Sequence, residues 1–368
     1  MMVTESPFTR RAFLCSPRKN QSQKNCCEFF NFNALSLRQH YTGMPTMYNT
    51  SFHFSLKNII LFLLLISLLL GVTPNSQAQW VQTNAPYGGV VSLFAVSETN
   101  LFAGTNNSGA FLSTDNGTSW TQVNSGLTNT DIVSLAVRGT NLFAGTESGG
   151  GVFLSTNDGA SWTQTQADSS IIDVYSFAVD GTNLFAGTVG TGVALSSNNG
   201  TSWTWINTGL YPGTIVYAII SQAADLFIST NFGIYRSPDD GTTWTSVNAT
   251  LHGDIFSLYS DGTNLFASGQ QTGLYISTDK GTSWIPRNDG STIFPQINTF
   301  ATSDSNIFVG TDAGLFLSTN TGASWTDISK GLQSNIINSL VVYDKYLYAE
   351  ISRNIGGTFS ESVWRRPL

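Results

Sequence analysis

The sequence predicts an all-β chain folded as a seven-bladed β-propeller of four-stranded antiparallel blades, and three observations predict it. An eight-residue stretch, S-T-D-N-G-T-S-W at Ser113–Trp120, returns in related form at Ser155–Trp162, Ser196–Trp203, Ser237–Trp244, Ser277–Trp284 and Ser318–Trp325. The tryptophans that end these stretches are spaced 42, 41, 41, 40 and 41 residues apart, and a fixed period of this size marks a repeat architecture. Each unit also reads as four short apolar segments separated by Gly, Asn, Asp and Ser turns, the pattern of a β-meander blade.

Taken in order, residues 1–46 read as a start-site over-call or a disordered leader. Residues 47–78 read as a signal peptide. The apolar run Ile59–Val72 follows Lys57 and precedes Ser76-Gln77-Ala78, a small-x-small cleavage site. At 14 residues the run falls short of the roughly 20 a spanning helix needs. Residues 79–368 form the propeller. Within one unit, Ile132–Val137 is a first strand and Leu142–Thr146 a second. Val152–Ser155 is a third, and a fourth runs from Ser161 to about Gln164. The strands are apolar on both faces, which suits a sheet covered by a neighbour on each side.

First strands are expected near Val90, Ile132, Tyr175, Val216, Ile255, Ile297 and Ile336, giving seven units. The seventh lacks a fourth strand before the end of the sequence. Gln79–Asn84 supplies one, because Trp80 precedes Trp120 by 40 residues, one period. The N-terminal strand therefore completes the last blade and closes the ring, leaving no open sheet edge.

The repeated stretch lies on the hairpin between third and fourth strands. Gly117, Gly159, Gly200, Gly241, Gly281 and Gly322 supply the positive φ of a tight turn. Two residues earlier stand Asp115, Asn157, Asn198, Asp239, Asp279 and Asn320. Asp and Asn exchange freely, so the position needs a short side-chain oxygen that accepts turn N–H bonds. A calcium site needs several carboxylates, and half of these turns would lack one, so no metal is expected there. Trp120, Trp162, Trp203, Trp244, Trp284 and Trp325 open the fourth strands and wedge between blades, each burying on the order of 200 Å².

S-x-D-x-G-x-x-W resembles the Asp-box, or BNR, repeat of sialidases, sortilins, xyloglucan-degrading glycosidases and photosystem II assembly factors. The resemblance covers essentially all of residues 79–368 and implies that the boxes are structural and peripheral. Sialidases carry three substrate-gripping arginines, whereas the propeller region has six arginines in all, Arg138, Arg236, Arg287, Arg353, Arg365 and Arg366. Arg138 and Arg236 fall on the rim of the boxes, and Ile285-Pro286-Arg287 scrambles the R-I-P signature. Xyloglucanases place their catalytic carboxylates between two propellers, and only one is predicted.

Composition narrows the function further. Residues 1–78 hold 7 Lys/Arg and 2 Asp/Glu, a charge of +5, while residues 79–368 hold 9 and 21, a charge of −12. An acidic propeller is a poor partner for nucleic acid or for an anionic membrane surface. All three cysteines lie in the first 27 residues, and His252 is the only histidine after residue 53. Thiolate chemistry, a Cys-type zinc site and a Ser-His-Asp triad therefore have little to draw on. No cofactor is implied.

The rim opposite the boxes, built from fourth-to-first and second-to-third loops, carries Tyr87, Tyr211, His252, Arg287, Phe294 and Arg353 as candidate binding residues. Varied aromatic and polar loops on a rigid ring suit recognition. The longest, Arg287–Gln296 and Ile351–Ser362, flank the sixth and seventh blades. The same rim carries Glu147, Asp168, Asp173, Asp254, Asp289 and Asp312, which belong to different blades. A glycosidase needs two carboxylates roughly 5–10 Å apart, and sequence brings no two of these together. The expectation is a secreted or cell-surface, bacterial, monomeric and non-catalytic module that recognises a glycan or a protein. A surface glycoside hydrolase, or an assembly factor of an envelope complex, are the alternatives.

Overall fold

A computed structural model divides the chain into units at 1–72 and 73–368. It describes residues 79–84, 86, 88–165, 173–247, 251, 254–269, 273–287, 296–355 and 358–368, with side chains of 353–360 left aside. The leader and signal-peptide expectations lie outside these residues.

Seven four-stranded antiparallel sheets make up the second unit. Their first strands are Val91–Val96, Ile132–Arg138, Val174–Asp180, Val216–Gln222, Ile255–Ser260, Ile297–Ser303 and Ile336–Tyr343. Each of these touches the first strand of the next blade, and Ile336–Tyr343 touches Val91–Val96, so the seven form a closed inner ring. Second strands such as Leu101–Thr105 are buried at every residue, as a sheet sandwiched between neighbours requires. The closure is as expected. Val81 and Gln82 pair with Arg365 and Trp364 as the fourth strand of the last sheet, and Thr83 donates its N–H and Oγ to Val363 O.

Two expectations need correction. The fourth strands are only two residues long, as at Thr163–Gln164. The tryptophans precede them rather than open them, because their backbone bonds leave the sheet. Trp162 N donates to Ser125 O and Trp244 N to Thr208 O, both at 2.8 Å and both in the preceding blade. The expected loop Ile351–Ser362 is instead mostly strand. Tyr346–Ile355 and Thr358–Pro367 pair along their whole length, out to Ile355 and Thr358.

The indoles reinforce the inter-blade grip. Trp162 Nε1 donates to Val123 O, Trp244 to Ile206 O, Trp284 to Val247 O and Trp80 to Ile328 O, at 2.7–2.9 Å. Each acceptor belongs to the preceding blade, and these four indoles are at most 4% exposed. Trp203 differs. It is half-buried and, like that of Trp120, its Nε1 has no partner among the described residues, and it packs with Trp205 beside Val174 and Leu184.

The turns behave as a hydrogen-bonded unit in both chemistries. Ser113 Oγ donates to Asp115 Oδ1 and accepts from Gly117 N, while Ser119 donates its N–H and Oγ to the same carboxylate. With Asn157 the last bond reverses, and Nδ2 donates to Ser161 Oγ at 2.9 Å. The turn also puts a second residue at positive φ, including Lys280 at 57° and Thr321 at 54°, a strain that the glycine alone does not reveal. Burial pushes the Asp115 carboxyl up, but bonds from Ser119, Ser113 and Thr118 outweigh it and hold it low. Bonds from Thr243 and Ser283 lower Asp239 and Asp279.

Three outcomes follow. Trp244→Ala should destabilise by roughly 3–5 kcal/mol in denaturant unfolding, and Trp203→Ala by clearly less. Deleting Trp80–Asn84 should lower the melting temperature, and an unchanged value would refute the closure. Depressed carboxyls contribute stability above their ordinary range that is lost as pH falls through it. Replacing Asp115, Asp239 and Asp279 with Asn should therefore flatten the fall in melting temperature between about pH 5 and 3.

Candidate functional site

The inner strands share an irregularity at the end facing away from the repeated turns. Register slips in every blade, between Val91 and Leu93, Ile132 and Ser134, Val174 and Ser176, Val216 and Ala218, Ile255 and Ser257, Ile297 and Thr299, and Ile337 and Ser339. The residue before each slip is Val or Ile and is buried, so it anchors the strand. The residue inside it is Ser92, Val133, Tyr175, Tyr217, Phe256, Asn298 or Asn338, and all seven are half-buried. A bulge leaves one residue out of the ladder and re-aims its side chain. Seven of them around a closed inner ring give the axial mouth one variable side chain per blade.

The seven divide by chemistry. Tyr175, Tyr217 and Phe256 are consecutive and aromatic, and the Tyr217 and Phe256 rings meet edge to face at 4.9 Å. Asn298, Asn338 and Ser92 are consecutive and polar. Asn298 Nδ2 donates to Asp312 Oδ1 and to Ile337 O. Asn338 Nδ2 donates to Glu350 Oε2 at 2.8 Å and also to Ser352 Oγ. Ser92 Oγ donates to Asn106 Oδ1.

Second-to-third and fourth-to-first loops frame the mouth with acid. Tyr175 Oη donates to Glu147 Oε1 at 3.1 Å, and Asp173 Oδ1 accepts from Gly149 N. Burial and then Glu147 raise the Tyr175 hydroxyl, and burial and Asp254 raise that of Tyr217, so both phenols stay neutral donors. Among the described residues no group of three or more His, Cys, Asp or Glu is placed to hold a metal.

Of the candidate binding residues, Tyr211 is the one the structure displays best. It is 63% exposed, lies 5.3 Å from the Phe232 ring, and lines a cavity of about 360 Å³ with Gly190, Thr191, Asn207 and Leu210. Arg287 is half-buried, and its Nε is enclosed without a partner among the described residues. Arg353 lies in a strand paired to Ser360 rather than in a loop. Tyr87, His252 and Phe294, with Asp168 and Asp289, lie outside the described residues, although Pro86 and Gly88 beside Tyr87 line a second cavity of about 420 Å³. Glu147 and Asp173 come together beside Tyr175, the one accepting from its hydroxyl and the other from Gly149 N, whereas Asp254 and Asp312 lie in other blades.

Sequence reasoning missed two features. The bulged ring had a signal, a Val or Ile followed by a freely varying residue at the start of each inner strand. Glu350 had one as well. Its counterparts in the second strands of the other blades are Gly104, Gly145, Gly187, Ser229, Ser268 and Gly310.

Comparison with known proteins agrees on the fold. A family model described as the DUF6242 beta propeller domain matches residues 173–306. No curated protein sequence matches. Among solved structures, the extracellular domain of a putative one-component system from B. thetaiotaomicron is 18% identical with a TM-score of 0.62, covering 78% of this chain and 40% of its own. The GH74 xyloglucanase of Xanthomonas campestris is 15% identical with a TM-score of 0.62, covering 76% of this chain and 54% of its own. YCF48 bound to D1 peptide is 13% identical with a TM-score of 0.62, covering 80% of this chain and 98% of its own. The chain thus spans about half or less of the length of the first two. At these identities the likeness concerns fold alone.

Proposed function

We propose that this propeller is a secreted or cell-surface, non-catalytic recognition module that takes a glycan at the axial mouth opposite the repeated turns. The observation that carries the reading is the split of the bulged ring into an aromatic arc, Tyr175–Tyr217–Phe256, and a polar arc, Asn298–Asn338–Ser92. Sugar rings present apolar C–H faces and hydroxyl edges, and an aromatic surface opposite carboxamides and hydroxyls meets both. The repeated turns, which resemble Asp-boxes, lie at the other end of the blades and serve the scaffold. Export and monomeric state belong to the same proposal. No helix among the described residues is long and apolar enough to cross a membrane.

A protein ligand is the second reading. The exposed Tyr211–Phe232 pair favours it, since aromatic anchors dominate protein interfaces, and one fold neighbour is YCF48 with a bound peptide. For a glycoside hydrolase, Glu350 and Glu361 share one hairpin, but Glu350 is fully buried, which suits support better than substrate contact.

A glycan array that includes xyloglucan oligosaccharides, followed by calorimetry, tests the reading. Tyr217→Ala should weaken binding roughly tenfold, about 1.4 kcal/mol, with a modest fall in melting temperature from the lost Phe256 contact. Binding lost instead with Tyr211→Ala alone would move the site to the outer rim. Hydrolysis of chromogenic sugars that disappears on changing a rim carboxylate would overturn the non-catalytic reading.

A further inference from the structure

The closing seam between the last and first blades holds a glutamate where the other blades carry glycine or serine. At the equivalent place four of the other blades carry glycine and two carry serine, and at the glycines an added Cβ runs into the next inner strand. At Gly145 it would lie 2.7 Å from Val174 O, at Gly187 2.6 Å from Val216 Cγ1, and at Gly104 2.7 Å from Ile132 Cγ2. The last blade carries Glu350 there. Its cross-strand neighbour Val363, and Tyr348 two residues earlier, pack with Val91, Leu101 and Ala103 of the first blade. The alternation of a strand puts Glu350 on that same face.

Glu350 is 0% exposed, and one of its oxygens, Oε1, has no hydrogen-bond partner among the described residues. Its other oxygen accepts from Asn338, the residue that the bulge presents at the mouth. The groups facing it can be named from each packed element. On its own hairpin the titratable neighbours are Glu361, opposite Ser352, and beyond them the Tyr348 and Arg365 pair. The inner strand of its own blade offers Asn338 and Ser339, and the first blade's Val91–Val96 and Leu101–Thr105 contain no titratable residue. No cation forms an ion pair with Glu350 among the described residues. A buried anion facing a second carboxyl without a counter-charge is strongly disfavoured.

We propose that Glu350 is a neutral acid acting as a positioning residue, which fills the closing seam and holds the Asn338 carboxamide in the polar arc, so that its ionisation loosens both the seam and the mouth. Burial, with the nearby Glu361, raises the Glu350 carboxyl to about 8 despite the Asn338 bond, and burial also raises Glu361. The sign follows from linkage. The folded chain holds this proton more tightly than the unfolded chain, so the stabilising contribution is complete below the ordinary carboxyl range. It is lost progressively as pH rises toward about 8.

The test compares the full chain with Glu350→Gln, which keeps a neutral hydrogen-bonding group of the same shape, and with Glu350→Ser, the residue type at Ser229 and Ser268. Melting temperatures from pH 5 to pH 9 should fall for the native chain and fall less for both variants. Amide exchange of Ile337–Leu340, corrected for its intrinsic pH dependence, should rise above pH 8 in the native chain only. Carboxyl carbon-13 shifts, with the Glu350 signal identified by its loss in either variant, should show Glu350 protonated at pH 7. Titration of that signal in the ordinary carboxyl range, or parallel stability profiles for all three proteins, would overturn the proposal. The importance of Asn338 for binding rests on the glycan reading. None of these measurements uses a ligand, so the two ideas fail separately.

Discussion

The ring depends on the tryptophans at its blade boundaries more than on any single sheet. At Trp80, Trp162, Trp244 and Trp284 the indole is buried and its Nε1 donates to a carbonyl three residues past the tryptophan of the preceding blade, and at Trp162 and Trp244 the backbone N–H donates five residues past it. One residue thus supplies apolar area and two directed bonds across the seam, which fixes both the spacing and the rotation of neighbouring sheets. The chain accommodates this contact closely. A Cβ at Gly126 or Gly209 would come within 2.2 Å of the carbonyl oxygen of Trp162 or Trp244. The period of the sequence is the period of that contact.

This explains what was legible. Trp and Gly recur because the seam and the turn each admit little else, so period, blade number and closure could be counted from the sequence. First strands begin within one residue of their expected places because a Val or Ile anchors each of them. The mouth was less legible. Tyr217 and Asn338 occupy the same repeat position, and what they share is a backbone slip, which leaves no composition of its own. The αL conformation of Lys280 and Thr321 was hidden for the same reason, since a strained backbone held by neighbouring bonds need not select a glycine. The last hairpin misled because Ile351–Ser362 has the polar look of a loop, yet continuous pairing to Ile355 and Thr358 makes it strand.

The two ends of each blade therefore answer to different constraints. At the end bearing the repeated turns, side chains are committed to the scaffold. Asp225 binds both Arg236 in its own blade and Lys280 in the next, at 3.0 and 2.7 Å, and Tyr348 Oη reaches Asn116 O across the closing seam. At the mouth, the anchor residue carries the packing and its neighbour is free to vary. Such a division lets one scaffold change the side chains at its mouth without disturbing how it is held together.

The closing blade also bears on how the protein reaches its native state. Thr83 bonds to Val363 and Trp80 to Ile328, contacts separated by 280 and 248 residues. Every other sheet is assembled from one continuous stretch, whereas this one needs both ends of the propeller together. Loop-closure entropy and contact order place such pairing late in folding. A chain emerging N-terminus first carries Trp80–Thr83 unpaired until Thr358–Pro367 arrives. The closing strand, exposed on its outer face at Val81 and Gln82, is therefore the last part of the ring to find its partner.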